Sequence, residues 1–229
     1  MSSKTVLITG TSAGGIGYAF VLGFQKRGAT VFATARSISK MQDLASLPKV
    51  HLLSLDVTSP TSIAAAAKEV DAKTGGKLDV LINNAGVNYI MPGPVRMVQA
   101  FQSMLIASQG TIVNIGSGAG SFYLAFSSQY NASKAALNQY SETQRMERAS
   151  LGVQVVTLVS GNVASNIAKK CSQLPENSLY RPIEKELVKD DAWTEMPVAR
   201  YADELASEVL AGASGRMYKA FVLVGRLGR

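Results

Sequence analysis

Residues 5–17 read TVLITGTSAGGIG, and the fold is decided in this stretch. Thr5–Thr9 is a run of strand length rich in β-branched and apolar side chains, and a cluster of glycines follows at once. From Ile16 to Lys26 the apolar residues recur at helical spacing. A strand that passes through a glycine turn straight into a helix aims backbone N–H groups at whatever lies above the turn, and that geometry suits a phosphate. Gly10, Gly14, Gly15 and Gly17 remove side chains where a pyrophosphate would approach, and Ser12 and Ile16 belong to the same candidate cradle. A glycine cluster alone also reads as a tight turn. Its place, first in the chain with a strand before it and a helix after, gives the phosphate reading its weight.

Outward from this turn, short β-branched runs alternate with longer helical patterns. Strands are expected near Thr30–Ala35, Val50–Leu55, Leu78–Asn83, Thr111–Ile115, Val153–Leu158 and Ala220–Val224. Helices are expected near Thr61–Ala72, Val95–Ala107, Ser128–Ser150 and Tyr201–Ala211. The runs VLITG, VLINN and TIVNIG are almost wholly apolar, as in strands buried on both faces. Such alternation means an α/β domain, a parallel sheet with helices on both sides and ligands held beyond the carboxyl ends of the strands. No repeat, linker or composition break divides residues 1–229.

The bulk composition agrees. At 229 residues, 47% hydrophobic and 17% charged, the chain suits one globular core. Cys171 is the single cysteine and implies a reducing compartment. His51, the single histidine, lies in the apolar run VHLLSL and reads as a strand residue, so no metal site is expected. MSSKTVLITG enters a strand without the pattern of a signal peptide, and no apolar run spans a bilayer, so a cytoplasmic location is expected. The net charge of +7 is scattered, apart from Lys169-Lys170 and the basic tail. It favours solubility and anionic ligands over nucleic acid. The ending AFVLVGRLGR keeps weak peripheral membrane contact open beside its plainer reading as a closing edge strand.

The strand ends carry the chemistry. The second ends ATAR: Ala35 cannot bond a free ribose hydroxyl as an acid would, whereas Arg36 suits the extra phosphate of NADP. Arg36 alone reads equally well as a solvated surface arginine. Asp56-Val57 closes the third strand and is placed to frame an adenine, although Asp56 also reads as an acid at a helix start. The fifth strand ends in Ser117, and YNASK follows, with Tyr130 and Lys134 four apart on one helix face. An ammonium near a phenol favours its ionised form, which makes Tyr130 a usable proton donor or acceptor.

With these residues in order, the sequence resembles the short-chain dehydrogenase/reductase family over most of its length. TGTSAGGIG, Asp56-Val57, NNAG (Asn83–Gly86), Ser117 and YNASK carry the resemblance. It implies a single Rossmann-type doubly wound parallel sheet, with NADPH/NADP as cofactor and a small-molecule carbonyl as substrate. Ser117 would orient the carbonyl, Tyr130 would be the acid/base, and Lys134 would bind the nicotinamide ribose and tune Tyr130. Asn84 and Ala85 would line the adenosine ribose side, with Val163 and Ser165 near the carboxamide. TGTSAGGIG, VNY after NNAG, and NSLYRPIEKE look most like the acyl-dihydroxyacetone-phosphate reductase branch, which uses NADPH on lipid-like or secondary-metabolite ketones. The alternative is a dinucleotide-binding protein with little or no turnover.

Three departures from the family stand out. The glycine turn has one extra residue, so Gly14 and Gly15 compete for one role. Ser160 stands where the family has proline. Between NNAG and VQAF the family carries a further helical segment whose asparagine completes a catalytic tetrad. Here Gly93-Pro94-Val95 follows almost directly, so an internal segment is missing near 92–94. A homo-oligomer that uses that segment's helix is correspondingly in doubt. The stretch from Asn84 to Gly110 still exceeds the dozen or so residues a parallel crossover needs.

Overall fold

The computed structural model describes residues 3–86, 92–125, 127–165, 174, 176–184 and 195–219. Seven strands form one parallel sheet: β1 Thr5–Thr9, β2 Thr30–Ala35, β3 Val50–Ser54, β4 Val80–Asn83, β5 Thr111–Ser117, β6 Gln154–Ser160 and β7 Gly215–Lys219. Their spatial order is β3-β2-β1-β4-β5-β6-β7. Among the described residues five α-helices connect them: α1 Ile16–Lys26, α2 Pro60–Thr74, α3 Pro92–Ser108, α4 Ser128–Ala149 and α5 Val198–Leu210. A 3₁₀ segment, Ile38–Ser46, lies between β2 and β3.

Alternation along the central strands sends side chains to two apolar layers. Val6 and Ile8 of β1 pack with Phe20 and Phe24 of α1 and Leu205 of α5. Leu7 faces the other way, toward Val70 of α2 and Phe101 of α3. All of these side chains are fully buried, each a stabilisation of about 1.5–3 kcal/mol by area. The local signals match the elements they start. Ser59 caps α2 by accepting from Ser62 N–H at 3.3 Å, with Pro60 behind it. Gly75 ends that helix in the left-handed region.

The chain runs from β1 out to β3, then returns to β4 on the opposite side of β1. That reversal opens a crevice above the carboxyl ends of β1 and β4. The crossover through α3 is complete in topology, and α3 starts at Pro92, earlier than the Val95 expected. Residues 87–91, directly before it, lie outside the described residues. The expected strand at 220–224 also lies outside them, whereas β7 occupies Gly215–Lys219. His51 sits in β3 and stacks on Phe32, with ring centres 5.2 Å apart.

Candidate active site

The turn after β1 is held down from both sides. Gly10 and Thr11 N–H both donate to Thr34 O of β2, and Ala13 N–H donates to Lys40 O. Gly10 has φ +74°, and a Cβ there would stand 2.9 Å from Ala85 Cα. A Cβ on Gly17 would collide with Gly10 O and the Asn84 amide. The extra glycine divides the labour: Gly14 takes a left-handed conformation at φ +73°, and Gly15 is the extended residue that opens α1. No side chain caps α1 and its first turn holds no acid. Its N-terminus therefore keeps the positive end of the helix dipole for an anion. Ser12 carries the turn's inner bond, its carbonyl accepting from Gly15 N–H at 3.1 Å. Ile16 is the first residue of the helix.

Asn84 and Ala85 stand beside this turn, and Asn84 fastens it. Its Nδ2 donates to Thr9 O at 2.8 Å and Gly10 O at 3.0 Å. Thr9 Oγ1 in turn accepts from the N–H groups of Asn84 and Ala85, at 3.0 and 2.9 Å. Thr9 went unread because a threonine ending an apolar strand carries no signal beyond its β propensity.

Arg36 is exposed just past β2. Asp56 lies near enough for Arg36 to help hold its carboxyl below the usual range. The larger causes are the Thr58 hydroxyl and N–H, which donate to it at 2.7 and 2.9 Å. Asp56 thus opens the loop that leads into α2. Val57 touches the start of α3, where a Cβ on Gly93 would lie 3.3 Å from it.

The catalytic candidates come from β5 and α4. Ser117 ends β5, nearly buried, and its Oγ accepts from Ala119 N–H at 3.2 Å, which leaves the hydroxyl proton to donate elsewhere. Tyr130 and Lys134 share the first turns of α4. Lys134 Nζ lies 5.7 Å from the centre of the Tyr130 ring and donates to Ile115 O at 2.8 Å. Burial lowers the Lys134 ammonium to about 8. α4 is anchored by a buried polar chain: Asn83 donates to Asn114, Asn114 to Ser141, and Ser141 to Leu137 O.

Ser160 pairs in register with Ser117 across β5 and β6. Its hydroxyl bonds Tyr201 of α5, which is fully buried and stacked on Phe20. Burial holds the Tyr201 phenol well above its ordinary range. Val163 is buried and bridges to Met196. Ser165 follows it, and its buried Oγ has no partner among the described residues. Cys171 lies outside the described residues.

Known proteins share this fold. A model of the short chain dehydrogenase family matches in two pieces, residues 4–96 and 88–175. A short-chain dehydrogenase of Penicillium crustosum is 39% identical over 241 aligned positions, covering 96% of this chain and 89% of the relative. Ninety-six per cent of 229 residues is about 220, so about 21 of those 241 positions face no residue of this chain. An NADPH-dependent 1-acyldihydroxyacetone phosphate reductase of Schizosaccharomyces pombe is 37% identical over 246 positions, covering 96% of this chain and 82% of the relative. Among solved structures, a short-chain dehydrogenase from Streptomyces avermitilis superposes with a TM-score of 0.80 at 28% identity, covering 95% of this chain and 88% of that one.

Proposed function

The chain belongs to the short-chain dehydrogenase/reductase family, and from that premise we propose that it reduces a ketone of a lipid-like or secondary-metabolite substrate with NADPH. The observation that carries this reading is Lys134, half-buried beside the Tyr130 ring on the helix packed against the strand end of Ser117. NADPH, when bound, supplies the hydride. The α1 N-terminus and the glycine turn would hold its pyrophosphate, Arg36 its extra phosphate, and Asp56-Val57 its adenine. The name of the fission-yeast relative supports the choice of cofactor. Ser117 donates its hydroxyl proton to the carbonyl oxygen and orients it. Tyr130 delivers a proton to that oxygen as the alkoxide forms, and the Lys134 ammonium stabilises the phenolate left behind.

The substrate class rests on the turn between Ser117 and Tyr130. Residues 118–133 contain no charged side chain, and Phe122, Tyr123 and Leu124 are all exposed. Three consecutive apolar side chains beside the reacting groups favour a substrate with apolar flanks. A ketone panel graded by chain length tests this. Long-chain ketones should show the higher kcat/KM, and a preference for small hydrophilic ketones would reject the substrate class.

We also propose that the connection after β4 lacks a helical segment that relatives possess. The two pieces of the family match overlap at 88–96, and the unmatched alignment positions support the same reading. A chain without that segment is the ground for the alternative, a protein that binds NADPH and turns over slowly. The intact mass of the expressed protein tests it, since a product heavier than the 229-residue chain would remove the argument.

A further inference from the structure

We propose that Asn138 is a positioning residue for Ser117, its carboxamide tying the end of β5 to the helix that carries Tyr130 and Lys134. The role it would serve rests on the reductase reading above. Asn138 lies one helical step of four beyond Lys134, so Tyr130, Lys134 and Asn138 form one stripe along α4. It is 5% exposed, and its Nδ2 donates to Ser117 O at 3.3 Å.

The glycines around Ser117 are shaped to this side chain. A Cβ on Gly116 would collide with Asn138 Oδ1. A Cβ on Gly120 would lie 2.6 Å from Asn138 Nδ2 and 2.7 Å from the Lys134 carbonyl carbon. Neither glycine has a positive φ, so backbone freedom does not account for them. Space does. β4 stops opposite Asn114, and β5 runs three residues further to Ser117. Along that extension two side chains of α4 bond carbonyls of β5: Lys134 at Ile115 and Asn138 at Ser117. An apolar residue would fill the same space without burying an amide, and among the described residues Asn138 Oδ1 has no partner. What the amide adds is the bond that fixes where Ser117 stands relative to Tyr130.

The test separates this bond from mere packing. Asn138→Ala should lower kcat by about 10-fold or more, since ångström-scale misplacement of a reacting group costs up to about 10². NADPH affinity by fluorescence titration should stay within about twofold of the parent. Gly116→Ala combined with Asn138→Ala puts a methyl into the vacated space. That double variant should regain the parent's melting temperature but not its kcat. Hydrogen exchange at Ala119, Ser121 and Phe122 reads the same tie without turnover, and it should quicken in both variants. Parental exchange in Asn138→Ala, or full recovery of kcat in the double variant, overturns the proposal. If the parent reduces no ketone at all, the reductase reading fails, and the exchange rates still decide whether Asn138 holds the Ser117 turn.

Discussion

Two glycine-rich turns close strands at the same edge of the sheet, and they use glycine for opposite purposes. In the turn after β1, Gly10 and Gly14 adopt positive φ and Gly15 leaves the start of α1 without a cap. Side chains are removed there, and the first turn of α1 is left with no side-chain cap and no acid. At the end of β5 and in the turn after it, Gly116 and Gly120 have no positive φ, and side chains are removed so that α4 can press inward. The first turn is a surface left open for a ligand. The second is a joint between two parts of the protein. Damage to the first should therefore appear as lost cofactor affinity, and damage to the second as lost turnover.

The largest effect expected on the second side is that of Tyr130→Phe. A positioned general acid contributes about 10²–10⁴-fold, so turnover should fall at least about 10²-fold while NADPH titrates as in the parent. A mutant that reduces its ketone at the parental rate would show that Tyr130 is not the proton donor. A parallel loss of NADPH affinity would blur the distinction between the two turns.

A change of similar size should come from the joint between β4 and α3. Insertion of a family-like helical segment with its asparagine after Gly86 should raise turnover by about 10²-fold, the scale of one member of an acid–base system. NADPH affinity should hardly change, because the glycine turn and its Asn84 fastening are already complete. Steady-state kinetics on both proteins decides it: unchanged kcat would mean that another group or open solvent supplies the proton.

These two turns also differ in how far they could be read from the sequence. The first announces itself, because strand, glycines and helix are contiguous, and buried parallel strands such as VLITG are apolar throughout. Tyr130 and Lys134 were legible for the same reason, lying within one helix turn. Asn138 was not, since a lone asparagine in a helix carries no pattern, and its partner Ser117 is distant in the chain. The strand at Gly215–Lys219 is not legible in the sequence for a physical reason. GRMYK alternates half-buried and exposed residues, as an edge strand does, and so lacks the apolar run that drew the assignment to 220–224. The fastening of Asn84, whose Nδ2 donates to Thr9 O and Gly10 O, is likewise invisible in the sequence.

On the side of the first turn, Arg36→Ala should weaken NADPH binding by about 10- to 100-fold, since a charge-assisted hydrogen bond is worth about 1.5–3 kcal/mol. Its effect on NADH should be slight, and kcat at saturating NADPH should be close to the parent's. Fluorescence titration with both cofactors measures this, and equal parental affinity for NADPH and NADH would end Arg36's role as discriminator.

The smallest effect is a pH dependence confined to the second side. Burial lowers Lys134 to about 8 from the ordinary 10.5. Below pH 8 its ammonium is present beside Tyr130; as pH rises through 8 the charge is lost, and with it the stabilisation of the phenolate left after proton transfer. kcat/KM for ketone reduction reports ionisations of the free enzyme, so it should be level on the acid side and fall by up to about 10-fold per pH unit above 8. The same depression acts on folding with the opposite sign. Between about pH 8 and 10.5 the unfolded chain binds the proton that the folded chain has released, so this group's contribution to stability rises with pH. Activity should thus fall over a range in which Lys134 itself favours the folded state, and this sets the limb apart from alkaline unfolding. Lys134→Arg, which stays charged, should flatten the limb whatever its absolute rate. A limb that persists near pH 8 in that variant would assign the ionisation to another group.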